Sequence, residues 1–201
     1  MTYSQHHPDR CKALILRGVF LCRKKEVDFF YQQGTSWFFP EAYKAYSEVI
    51  PEVERGHLLS AFHRRVTGDD EEEKMKCAKA WSSWEMSTSK LEVDPKDLAL
   101  GEDPVFALAF ARIEIHYFIN GGFFPTDTYL LDNVRKISHI PAVIIQGRYD
   151  MVCPAASAFE LHEAWPEADF RVVGTSGHSA SEPGIIHELV EATDKFADLE
   201  M

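Results

Sequence analysis

The reading of the fold turns on Ile140-Pro-Ala-Val-Ile-Ile-Gln-Gly-Arg-Tyr-Asp150 and on the Gly177-His178 pair that follows it, 28 positions after Asp150 (178 − 150). The five apolar or small residues after Ile140, with two isoleucines and a valine, predict a strand covered on both faces, as in a parallel sheet. Gly147 closes that strand and Asp150 lies just beyond it. In open α/β sheets the groups that do chemistry sit in the crevice past the carboxyl ends of the strands, and Asp150 has that address. A helix-like segment, Ala155 to Trp165, leads to a second short strand, Asp169 to Gly174, and then to Thr-Ser-Gly-His178. Acid and imidazole are therefore expected on one edge of one sheet.

That pair is the acid and base portion of a nucleophile, base and orienting-acid triad, in which the carboxylate fixes the imidazole tautomer and steadies its positive charge. In the α/β-hydrolase order the nucleophile comes first, then the acid, then the histidine. The plainer alternatives are a turn-forming or helix-capping Asp and a structural His. The ordered series of strand, acid, helix, strand and Gly-His favours the pair. No nucleophile elbow accompanies it: Gly34-Thr-Ser-Trp-Phe38 and Gly174-Thr-Ser-Gly-His178 both lack the last glycine of Gly-x-Ser-x-Gly.

Outward from this core, 201 residues at 45% hydrophobic content suffice for one soluble domain or one domain with an insertion. Lys plus Arg number 21 against 32 Asp plus Glu, a net charge of −11, which argues against nucleic acid or an anionic membrane as partner and suits cationic substrates. Cys11, Cys22, Cys77 and Cys153 form no Cys-x-x-Cys pair, so neither a zinc site nor a disulfide scaffold is indicated and a cytoplasmic setting is the expectation. Neither a secretory signal nor a run of about 18 apolar residues is present.

Lys12 to Phe20 predicts a first strand, with Arg17 and Gly18 at its carboxyl end. Its apolar stretch reads as an interior strand, fed by a polar segment, Tyr3 to Arg10, that looks like the tail of a helix. From Glu26 to about Arg135, aromatics and alanines recur at helical intervals. Helices are expected over Pro40 to Val49, Glu54 to Val66, Glu71 to Met86 and Pro104 to Phe118, with a short one in Asp127 to Val134. Gly184 to Leu199 reads as a closing amphipathic helix. The expected fold class is α/β: a fragment of parallel sheet built from residues 1–26 and 136–201, in keeping with the α/β-hydrolase order of acid and histidine, with a helical cap inserted at 27–135. Three strands are fewer than the roughly five to six of an average sheet.

Several constellations lie outside that core. Glu85 follows Trp84, and Glu114 lies in Ala111-Arg-Ile-Glu-Ile-His-Tyr-Phe118. A carboxylate in apolar company needs a partner, since burying an unpaired charge is expensive. Arg17, Arg112 or another internal base is the structural candidate, and a ligand cation the functional one. Trp37, Phe38, Phe39, Trp81, Trp84, Tyr117, Phe118, Phe123 and Phe124 are expected mainly in the cap core, with some free to wall a small apolar pocket. The acidic run Asp69 to Glu73 reads as a solvated loop and helix start. His187-Glu-Leu-Val-Glu191 lacks the second histidine of a zinc motif, no Gly-rich phosphate loop is present, and neither metal nor cofactor is expected.

Six stretches together resemble the proline iminopeptidases (prolyl aminopeptidases), α/β-hydrolase serine peptidases with a helical cap. They are His7-Pro-Asp-Arg10, Leu16-Arg-Gly-Val-Phe20, Trp81-Ser-Ser-Trp-Glu85, Ala111 to Phe118, Gln146-Gly-Arg-Tyr-Asp-Met-Val-Cys-Pro154 and Gly177-His-Ser-Ala180. The resemblance implies that Asp150 and His178 are the acid and base of the triad. It also implies that Glu85 and Glu114 hold the free amine of an N-terminal proline, with Arg17 near them and Phe20 beside the ring. The implied partner is a peptide with N-terminal proline. The family's serine elbow precedes the segment matched by Tyr3 to Pro8, so the sequence resembles the C-terminal two thirds of such an enzyme. Two expectations follow: a truncated peptidase, inactive by itself for want of the nucleophile, or a non-catalytic remnant that binds proline-like amines or a partner supplying the missing strands.

Overall fold

The computed structural model describes residues 1–199. In chain order it has α1 (Thr2–His6), β1 (Leu14–Arg17), α2 (Lys24–Tyr31), α3 (Pro40–Glu48), α4 (Leu58–Val66), α5 (Glu71–Thr88) and α6 (Pro95–Gly101). It continues with α7 (Pro104–Ile119), α8 (Tyr129–Asp132), β2 (Ala142–Gly147), α9 (Ala155–Ala164), β3 (Asp169–Val173) and α10 (Pro183–Lys195). The chain divides into two compact units, one of Met1–Leu21 with Pro125–Met201, the other of Cys22–Phe124.

The first unit is a parallel three-stranded sheet in the order β1-β2-β3. Leu14 pairs with Ala142 and Arg17 with Ile145; Val143 pairs with Asp169 and Gly147 with Val173. Every residue of β2 is buried, as its apolar run from Ala142 to Ile145 requires of a central strand. Side chains alternate across a strand, so Val143 and Ile145 share one face. They form a core with Ile185 and Ala192 of α10, bordered by Ile15, Val173, Leu189 and Phe196. The chain is thus α/β, with a short parallel sheet and many helices.

Two sequence expectations are corrected in this unit. The first strand is shorter than Lys12 to Phe20, because Gly18 adopts a φ of +55°, outside the β region. Among the described residues it lies at the edge of the sheet and is half-buried along its length. The closing helix ends at Lys195 rather than Leu199.

The second unit is helical. Its core is aromatic: Trp81 and Trp84 of α5 are fully buried. The Tyr31 ring stacks on Trp81 at 4.1 Å, and Tyr46 stacks on Phe62 at 4.6 Å. Trp37, Phe38, Tyr117 and Phe123 instead lie exposed, so the aromatic set divides between core and surface. The acidic run opens α5: Asp70 accepts from the Glu72 and Glu73 amides, each at 3.0 Å, a cap worth about 1 kcal/mol. The helix expected from Glu54 starts as a 3-10 turn, Glu52–His57, and becomes α-helical at Leu58. Helices α2 and α6 were not singled out from the sequence: each spans only about two turns, too few for a periodic pattern to repeat.

Candidate active site

At the end of β2 a glycine is required. A Cβ on Gly147 would lie 1.9 Å from the Gly177 carbonyl oxygen, so the loop after β3 rests directly on the strand end. The Arg148 amide donates to the Val173 carbonyl at 2.9 Å and the Tyr149 amide to the Ser176 carbonyl at 3.0 Å. These bonds seat His178 over Asp150, with Nδ1 2.9 Å from Oδ2 and 3.2 Å from Oδ1.

Asp150 is only 4% exposed, and four donors surround it. Oδ1 accepts from the Val152 amide at 3.1 Å and the Cys153 amide at 2.7 Å, while Oδ2 accepts from Gln146 Nε2 at 3.1 Å. With His178 Nδ1 as the fourth, the carboxylate meets donors on both oxygens, and an ionised carboxylate only accepts. Nδ1 facing a carboxylate is the protonated nitrogen, which leaves Nε2 as the atom able to take up a proton. Among the described residues the ring's hydrogen bonds run to Asp150 alone, with no hydroxyl on Nε2.

The end of β1 closes the other side. Gly18 lies edge-on to the imidazole: its absent Cβ would come within 3.1 Å of His178 Cε1 and 3.3 Å of Nδ1. The Arg17 guanidinium donates to the backbone carbonyl of His178, so its contact in this unit is with the loop that carries the base. Phe20 follows at a half-buried position.

In the helical unit, α5 and α7 bring Glu85 and Glu114 to one phenol. The Tyr31 hydroxyl donates to Glu85 Oε1, and Trp81 Nε1 donates to Glu114 Oε2 at 2.9 Å. Loss of water pushes the Glu114 carboxyl up to about 7, against the opposing pull of hydrogen bonds from Trp81 and Tyr31. Burial, then the charges of Glu114 and Glu85, hold the Tyr31 phenol well above its ordinary value, so it stays a donor. The arginine partner offered from sequence is thereby corrected for Glu114: an indole and a phenol serve it, while Arg112 on the same helix is exposed. Burying an uncompensated cation stem on α7 would add desolvation cost, whereas Trp81 and Tyr31 add apolar contact with their donors.

Sequence reasoning missed Gln146 and Tyr31, and placed Gly18 at the end of the first strand without its contact to His178. A glutamine within an otherwise apolar strand was a usable signal for the first; Tyr31 had none. Among the described residues no group of His, Cys, Asp and Glu is placed to hold a metal ion, and no helix is long and apolar enough to cross a membrane.

No protein-family model matches the chain. Individual proteins match it closely. It is 56% identical over 196 residues to a probable proline iminopeptidase of Leptolyngbya boryana, covering 98% of this chain and 61% of that protein. A proline iminopeptidase of Arabidopsis thaliana is 52% identical over 200 residues, covering 99% of this chain and 53% of its own. One from Neisseria gonorrhoeae is 43% identical over 195 residues, covering 96% and 61%. The chain thus spans between about half and three fifths of the length of these curated relatives. Along nearly the whole of its own length, it is a relative of the proline iminopeptidases.

Proposed function

We propose that this chain carries the acid–base and amine-recognition parts of a prolyl aminopeptidase, an enzyme that releases N-terminal proline from peptides by serine-hydrolase chemistry. His178 Nε2 takes the proton of an attacking hydroxyl and returns it to the leaving amine, while Asp150 holds the ring and steadies its charge. Glu85 and Glu114 receive the ammonium of the N-terminal proline, and Phe20 lies beside its ring, with Arg17 securing the His178 loop. A prolyl amine is charged near neutral pH, and carboxylates short of water gain most from such a cation. The observation that carries the reading is the 2.9 Å contact between His178 and Asp150 at adjoining carboxyl ends of parallel strands. Relatives named proline iminopeptidase supply the substrate class.

The chain by itself is inactive in this reading, because no serine sits in a Gly-x-Ser-x-Gly elbow. Hydrolysis of a chromogenic proline amide, with circular dichroism on the same sample, tests this: a folded chain should give no turnover. Turnover abolished by His178→Ala would mean a nucleophile within the 201 residues. Amine recognition is read separately by calorimetry with proline amide against N-acetylproline amide. Equal binding of the two would sink the roles of Glu85 and Glu114.

A second reading, a non-catalytic chain that pairs with a partner strand, is favoured by β1, whose apolar residues lie half-exposed at the sheet edge. Light scattering distinguishes it: a monomer at all concentrations would count against it.

A further inference from the structure

We propose that Gln146 is a positioning residue that aims the Asp150 carboxylate at His178. The proposal rests on the reading of Asp150 and His178 as the acid–base pair. Gln146 is wholly buried at the end of β2, where its neighbours are alanine, valine and isoleucines. A carboxamide in that place costs free energy unless its polar atoms are bonded. Oε1 accepts from the Val19 amide at 3.1 Å. Nε2 donates to Asp150 Oδ2 at 3.1 Å and to the Cys153 carbonyl at 3.0 Å, with the Gly147 carbonyl at 3.3 Å.

The direction of the amide is fixed by its partners. A backbone N–H only donates, so the oxygen must face Val19 and the nitrogen must face Asp150. A flipped amide would set N–H against N–H on one side and oxygen against carboxylate on the other. The oxygen that receives Nε2 is also the one closest to His178 Nδ1. One side chain thereby joins the exit of β1, the end of β2 and the turn that begins at Asp150. The same turn supplies the Val152 and Cys153 amides to the other oxygen, so both oxygens are held from separate directions.

The test is proton NMR of the chain, reading the downfield imidazole N–H of His178 Nδ1, identified by its disappearance in His178→Gln. Gln146→Met keeps the side-chain volume and removes the amide. The His178 signal should then vanish or exchange with water at least ~tenfold faster, the worth of one hydrogen bond to a charged acceptor. Ile185→Ala trims the core that α10 makes with Val143 and Ile145, without touching Gln146, and should leave the signal in place. An unchanged shift and exchange rate in Gln146→Met, or equal loss in both variants, overturns the proposal. Should Gln146→Met not fold, Asp150→Asn reports from the other end. The Gln146 side-chain amide protons should shift and exchange faster there while the Val19 amide stays protected; amide protons that ignore the change overturn the proposal. Failure of the functional reading looks different, since proline amide would not bind although the His178 signal still depended on Gln146.

Discussion

Asp150 and Glu114 are both carboxylates drawn out of water among apolar neighbours, and the two units treat them in opposite ways. Asp150 starts a turn, where amide groups are not committed to a ladder, and the Val152 and Cys153 amides turn inward to it. Glu114 sits in the middle of α7, where backbone N–H groups are already used within the helix. Only side chains can serve it, and it receives an indole and a phenol, both neutral. A carboxylate at a strand end can therefore be solvated by its own segment, whereas one inside a helix depends on what neighbouring helices bring. The first arrangement suits a group that must hold one charge state and one direction. The second leaves an unmet demand for positive charge, which a ligand can meet.

The comparison is broken most severely on the Asp150 side by Gly147→Ala. A methyl 1.9 Å from the Gly177 carbonyl cannot be absorbed by a side-chain rotation, because backbone is on both sides of the contact. The loop that carries His178 must lift off the strand end, and the expected loss is more than ~3 kcal/mol, read from the denaturant midpoint. Gly174→Ala, with nothing within 4 Å of its added methyl, is the control and should stay within about 0.5 kcal/mol. Equal midpoints for the two variants would contradict the tight seat of the loop.

On the Glu114 side the matching change is Tyr31→Phe, which removes one hydroxyl and almost no volume. The hydroxyl carries a single proton for the two carboxylates, so the loss is that of one hydrogen bond to a charged group, about 1.5–3 kcal/mol. The Glu114 midpoint should rise further above about 7, since a bond that favours the charged form is gone. Carbon NMR of the glutamate carboxyls reads this directly, and a midpoint that falls would show that the phenol had favoured the protonated acid.

How much of this is legible in the sequence differs between the two sites for the same reason. Asp150 and His178 could be read because a strand buried on both faces announces itself as an apolar run, and the residues just past its end have a known address. Their supports were less visible. Gly147 and Gly177 mark the close approach of two backbones, but a glycine alone does not say what crosses it. Gln146 stood out only as a polar residue within an apolar strand. In the helical unit Glu114 was conspicuous by its company, yet its partner was misjudged. Which donor reaches it depends on how α2 and α5 pack against α7, and no spacing along the chain encodes that contact.

The smallest expected effect is also the sharpest, because its sign changes the reading of Glu114. The carboxyl is pushed from an ordinary value of 4.5 up to about 7 by the loss of water. Between those values the folded chain holds a proton that the unfolded chain has released, so stability falls as pH rises through that window. Glu114→Gln carries no titrating group and escapes this loss. Its stability relative to the unvaried chain should be near zero at about pH 4 and should grow to about 1–2 kcal/mol in the variant's favour by about pH 8, allowing for residual solvent contact. Thermal unfolding at the two pH values measures it. A variant less stable at the higher pH would mean that the Trp81 and Tyr31 bonds outweigh the lost water, leaving no demand for a cation. Proline amide at saturation gives the complementary reading: its ammonium offsets the buried charge only in the unvaried chain, so the gap between the two proteins at about pH 8 should narrow or reverse.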